Sequence, residues 1–216
     1  MTGLNMVEYR TDEERLSAII NFFNDYKKFF VWGGVGLFLI VLVFVSVSNF
    51  RANQDSAAYL VYSKWSEIDL SDESKAMEAD GLFNLLQDDY SSTGFSNLAL
   101  VIESSRLAEE KNLEDALDLL YKLKNKTSRG NLFNLIANLN IGRIEIVNGN
   151  FDLALKALDA ISLDKENATV ASLKGDALRG LGRIELAEAQ YAKAIDLSQI
   201  AEERAVAEYK LKLISQ

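Results

Sequence analysis

"KGDALRGLGRIELAEAQYAKAIDL", residues 174–197, decides the fold. It reads as helix nearly throughout, yet Gly175 and Gly182 interrupt it seven residues apart. A glycine inside a helix costs up to ~1 kcal/mol relative to alanine. Ala187, Tyr191 and Ala194 then follow at set distances. Two glycines in one helical stretch, at fixed intervals from the residues that follow, ask for a structural reason that offsets the lost propensity.

The same intervals recur upstream. Align residues 96–123, 138–161 and 171–195. In the third stretch Gly175, Leu178, Gly182, Ala187, Tyr191 and Ala194 take relative positions 8, 11, 15, 20, 24 and 27. In the second, Gly142, Glu145, Gly149, Ala154, Leu158 and Ile161 take the same positions. In the first, Ser104, Leu107, Lys111, Ala116, Leu120 and Leu123 do so. These offsets resemble the tetratricopeptide repeat, a helix–turn–helix unit. The expected chemistry is steric. Positions 8 and 20 keep two crossing helices close, position 15 closes the first helix in a left-handed turn, and position 24 feeds the core. The repeat-packing set is therefore Gly142, Ala154, Gly175, Gly182, Ala187, Tyr191 and Ala194. Asn112 and Asn150 are placed to cap the second helices. "AEERAVAEYKLKLI" at 201–214 reads as a capping helix over the last repeat.

In such a stack the first helix of each repeat lines the concave face. That selects Ile136, Leu139, Arg143, Ile146 and Val147 in the second repeat. In the third it selects Thr169, Ser172, Asp176, Arg179 and Gly180. Arg143 and Arg179 are basic groups on an otherwise acidic chain, suited to acidic groups of a partner. The competing reading puts Ile136, Leu139 and Ile146 in the core and leaves both arginines solvated or paired locally.

Between Lys28 and Arg51 lie 22 residues without a charge, "FFVWGGVGLFLIVLVFVSVSNF". As a helix they span ~33 Å, against a hydrocarbon core of ~30 Å. This is the expected transmembrane helix, set in a lipid bilayer. "GGVG" at 33–36 lacks the strand before it and the Lys-Ser/Thr after it that a phosphate loop needs. Before it, Leu16, Ile19, Ile20 and Phe23 form an amphipathic helix that either lies on the membrane or extends the span. Beyond it, Ala57, Val61, Trp65 and Ile68 make one apolar face, followed by a second helix with Ala79, Leu82, Phe83 and Leu86. "SDES" at 71–74 reads as a turn and cap, and "SSTG" at 91–94 as the end of that pair. Arg15, Lys27 and Lys28 before the span, against Arg51 and Lys64 after it, lean toward a cytoplasmic N-terminus.

The chain of 216 residues contains no histidine, cysteine or proline. Thiolate and imidazole chemistry is excluded, and long helices are permitted. A net charge of −9 argues against nucleic acid as a partner. No catalytic, cofactor-binding or metal-ligating set is expected, and the abundant Ser, Lys and carboxylate side chains fall where solvated helix faces put them.

The arrangement as a whole resembles the ancillary subunit of the bacterial SecYEG translocon (YfgM-type). The likeness rests on "DEERLSAIINFFNDYKKFFVWGGVG" into the membrane, and on "FDLALKALDAI" and "KGDALRGLGRIELAEAQYAKAI" near the end. The expected fold is all-α: a single N-terminal transmembrane helix followed by a tetratricopeptide-like α-solenoid. Its parts are a cytoplasmic amphipathic N-terminus (1–28), the transmembrane helix (29–50), a helical connector (51–95), and repeats with a C-terminal capping helix (96–216). The resemblance implies a non-enzymatic, inner-membrane adaptor with a periplasmic domain. It further implies association with SecYEG and with a membrane-anchored peptidyl-prolyl-isomerase-like chaperone, aiding hand-over of exported proteins. The alternative use of the same fold is a cell-envelope scaffold for division, wall synthesis or stress signalling.

Overall fold

The computed structural model of the chain describes residues 12–69 and 73–215. Residues 1–11 of the expected cytoplasmic segment and residues 71–72 of the "SDES" signal lie outside these. Among the described residues the regular structure is entirely helical. The chain divides into two compact units, Met1–Gln54 and Asp55–Gln216.

Helix α1 runs without a break over Asp12–Ser66. The N-terminal amphipathic segment is thus continuous with the apolar span, not a separate surface helix, and "GGVG" is helical backbone. The side chains of residues 23–36, and of Ile19, are outside the description. From Leu37 onward the first unit exposes its apolar side chains, Phe44 at 74 % and Ile40 at 67 %. No protein surface covers them, as a helix meant for lipid requires. The stretch Leu37–Ser66 is a helix long and apolar enough to cross a membrane.

The second unit begins with the last turns of α1. Ala58 and Trp65 are buried there against Ala79, Leu86 and Ala99, with Val61, Ile68, Leu82 and Phe83 packed around them. The expected face is present, but Ala58 and not Ala57 is its fully buried alanine. Helix α2 (Ala76–Asp88) follows a short 3-10 turn. "SSTG" turns out to open a helix as well as close a pair. Thr93 is the N-cap of α3 (Gly94–Glu109), its Oγ1 accepting from the Ser96 N–H at 3.2 Å.

Three helical hairpins then follow: α3 with α4 (Leu113–Lys126), α5 (Leu132–Val147) with α6 (Phe151–Asp159), and α7 (Ala168–Gly180) with α8 (Ile184–Leu197). Helix α9 (Ala201–Ile214) packs on α8 and α7. Each hairpin touches the next, and α3, α5, α7 and α9 also touch in succession. These helices form one row of the stack, and α4, α6 and α8 form the other. Nearest-neighbour stacking of this kind is the architecture of a solenoid.

The three hairpin turns share one geometry. Lys111, Gly149 and Gly182 all adopt left-handed backbone, with φ of 65°, 76° and 71°. In each, the left-handed residue donates its N–H three residues back. The next residue donates five back, as in Asn112 N–H to the Leu107 carbonyl at 2.9 Å and Arg183 N–H to the Leu178 carbonyl at 2.9 Å. This is the Schellman closure of a helix C-terminus.

Capping departs from expectation. Asn112 and Asn150 stand at the N-cap positions of α4 and α6, but neither side chain caps its helix. Both side chains are pulled to nearby carboxylates instead: the Asn150 amide donates to Glu145 at 2.9 Å, and that of Asn112 to Asp115. The capping asparagines are Asn131 and Asn167, at the starts of α5 and α7. They accept from the Phe133 N–H at 2.8 Å and the Val170 N–H at 3.0 Å.

Candidate functional site

Small residues set how closely each hairpin closes. Ala116, Ala154 and Ala187, one per hairpin, are completely buried. Gly142 and Gly175 are buried too, and, as expected, a side chain at either would push the paired helices apart. A Cβ on Gly142 would lie 2.8 Å from Leu158 Cγ, and one on Gly175 would lie 2.5 Å from Tyr191 Cε1. The side chain at position 24 fills the space that glycine leaves at position 8. Gly182 instead meets nothing, and its glycine serves the left-handed turn alone. Ala194 packs with Ala171 and Ala207 where α7, α8 and α9 meet.

Tyr191 carries this packing into a polar network. Its hydroxyl donates to Asp176 Oδ1 at 2.8 Å, and Lys210 Nζ donates to Asp176 Oδ2 at 2.6 Å and to Ser172 Oγ at 3.0 Å. Burial first, and then the bond to Asp176, push the Tyr191 phenol up. Thr169 Oγ1 donates to Glu203 Oε1 at 3.2 Å. Two charged residues of α9 are thereby fixed on the face of α7.

A groove of about 320 Å³ opens between α5, α7 and α9. Leu173 and Ala168 of α7 and Val206 of α9 give it apolar surface, and Thr169 and Ser172 lie along it. Arg143 comes from α5, and Glu202, Glu203 and Lys210 come from α9. A second cleft of about 220 Å³ lies between α3, α4 and α5, lined by Ser104, Ser105, Asn140 and Ile144 among others. Arg143 lines both. It is exposed, and donates to Asn140 Oδ1 at 3.1 Å.

Of the residues selected from sequence for the concave face, Arg143, Thr169 and Ser172 come together in the groove. Asp176 is engaged by Tyr191 and Lys210. Leu139 is half-buried against the cluster of Leu158, Ile161 and Val170. Ile136 and Ile146 are half-buried, whereas Val147 is 75 % exposed at the end of α5. Arg179 is exposed in the last turn of α7. Gly180 is a packing position: a Cβ there would run into the Phe151 ring of α6. Sequence reasoning missed the α9 contribution, because that helix reads only as a lid. The available signal was Val206, an apolar residue off the Ala207–Leu211–Ile214 face.

One pair has the composition of a nucleophile and base. Lys126 Nζ donates to Ser96 Oγ at 3.0 Å, and burial, then nearby Lys122, lowers the amine to about 8. Ser96 has no solvent exposure, however, and the contact ties α4 to the start of α3. An attacking hydroxyl must reach its substrate, so this pair is read as packing.

A family model described as a tetratricopeptide repeat-like domain matches residues 21–216. No curated protein and no solved structure matches the chain.

Proposed function

The chain belongs to the tetratricopeptide repeat-like domain family, and from that premise we propose that it is a single-pass, membrane-anchored adaptor of the bacterial cell envelope. Protein–protein interaction is the role that a repeat stack of this family suggests, since it offers an extended surface and no evident reacting group. In the finer reading, α1 crosses the inner membrane with its N-terminus in the cytoplasm, and the repeats stand in the periplasm. There the chain sits beside the SecYEG translocon, binds a membrane-anchored peptidyl-prolyl-isomerase-like chaperone through the inner row of helices, and assists hand-over of exported chains. The observation that carries the adaptor reading is the groove at Arg143, Ser172 and Val206 in a chain that also has a membrane-length apolar helix.

The test is site-specific photo-crosslinking in living cells. A photoreactive residue at Val43 is expected to capture translocon subunits, and one at Val206 to capture the periplasmic chaperone. A cysteine at exposed Ser128 is expected to react with an impermeant maleimide on spheroplasts. Capture of division or wall-synthesis proteins at both positions would replace the translocon reading, and protection of Ser128 would reverse the topology.

A further inference from the structure

The groove between α5, α7 and α9 carries four charges, and two of them are internally engaged. Glu203 accepts from Thr169, and Lys210 is bound to Asp176 and Ser172. Arg143 and Glu202 remain on its two sides, and among the described residues neither has an ion-pair partner. Arg143 has only the neutral Asn140 oxygen. Leu173 and Ala168 of α7 line the groove, together with Val206, one turn on from Glu202 along α9. The groove is thus an apolar trough with a cation on the α5 wall and an anion on the α9 wall.

Its walls and floor are all helices, so it has no strand edge for an extended peptide to pair with. The main-chain groups left open here are first-turn N–H donors of α7 and α9, and the hydroxyls of Thr169 and Ser172 are engaged. An extended peptide would find no main-chain acceptors for its own N–H groups, whereas a helix satisfies its main chain internally. About 320 Å³ admits the apolar side chains of such a helix and leaves its backbone outside.

We propose that this groove takes an amphipathic helix from a partner protein, with an acidic flank on Arg143 and a basic flank on Glu202, and that the two charges fix the direction in which the helix lies. The proposal rests on the reading of the row formed by α3, α5, α7 and α9 as a docking surface. Direction follows from geometry. Turning an amphipathic helix end to end, apolar face still down, exchanges its flanks. The reversed helix then sets acid on Glu202 and base on Arg143, and like charges across an interface are disfavoured.

The experiment uses the full chain in lipid nanodiscs and two synthetic helical peptides. Both carry the same leucine stripe and a benzophenone at the N-terminus. One has Glu on the left flank and Lys on the right, and the other has the flanks swapped. The crosslink is expected near one end of α7 for the first peptide and near the opposite end for the second. The double variant R143E/E202K is expected to exchange the two results. A third peptide with glutamine on both flanks is expected to bind roughly ten-fold more weakly and to crosslink at both ends. Crosslinks at the same end for both charged peptides, or unchanged in the double variant, would overturn the charge assignment while leaving the docking surface intact. If none of the three peptides is retained, the docking surface itself is wrong.

Discussion

The third hairpin, α7 with α8, and the first, α3 with α4, reach the same geometry with different residues. In the third, Gly175 faces Tyr191 and the turn is closed by Gly182. In the first, the corresponding residues are Ser104, Leu120 and Lys111, with Ser104 2 % exposed and Leu120 1 % exposed. Between these two hairpins the side chains at positions 8 and 24 trade size. The Tyr191 ring leaves no room for a side chain at Gly175, whereas Leu120 is placed so that the Ser104 hydroxymethyl group fits; in the second hairpin Leu158 leaves no such room, and position 8 is again a glycine, Gly142. What the stack holds constant is the space between helices and the left-handed turn, not the residue that provides either.

Enlarging position 8 breaks this equivalence most sharply. Gly175→Leu drives a side chain into the Tyr191 ring, at a cost of ~3 kcal/mol, the upper end of core overpacking. The full chain in detergent is expected to melt about 6–12 °C lower by circular dichroism. Ser104→Ala removes a hydroxyl whose bond is local, to the Val101 carbonyl at 2.9 Å, and is expected to shift stability by less than ~0.5 kcal/mol. Equal effects at the two sites would refute the size trade.

The turns sharpen the comparison at smaller scale. Gly182→Ala places a Cβ at positive φ and is expected to cost ~1 kcal/mol. Lys111→Gly removes that strain from the first hairpin and is expected to recover a similar amount, less the added freedom of the unfolded chain. Opposite signs in urea denaturation are the outcome to look for.

The two hairpins also differ in their response to pH. In the first hairpin, the folded pKa of Lys126 lies below that of a free lysine, at about 8. Between that value and about 10.5 the unfolded chain binds more protons than the folded one, so stability rises with pH. Wild type is expected to gain on Lys126→Met across this window. In the third hairpin the Tyr191 phenol is raised, so its contribution has the opposite slope and appears only above the ordinary tyrosine range, near 10. A wild-type-to-variant difference that stays flat from pH 8 to 10.5 would remove the Lys126 assignment.

These contrasts mark what the sequence makes legible. Gly142, Gly175, Ala154 and Ala187 declare themselves because a close helix crossing admits few residue types, and the spacing between them is local. Lys111 is legible only in register, since no residue type announces a left-handed turn except glycine or asparagine. The capping role given to Asn112 and Asn150 fails because a carboxylate within reach, Asp115 or Glu145, competes for the same amide. The groove is only half legible. Arg143, Thr169 and Ser172 follow from repeat position, but Glu202 and Val206 belong to a helix outside the repeat pattern, and their place depends on how α9 lies against α7.

Gly180 has a consequence for how this stack could be lengthened. It receives the Phe151 ring from the preceding hairpin, so it is one half of a key whose other half lies in a different module. Ile184 stands where Phe151 does, one module later. A gene duplication that placed a second copy of the third module behind the first would set Ile184, and not a phenyl ring, against the new copy's glycine, and leave a void. Growth at this end of the array would thus call for a larger side chain at Ile184 as well as a new unit.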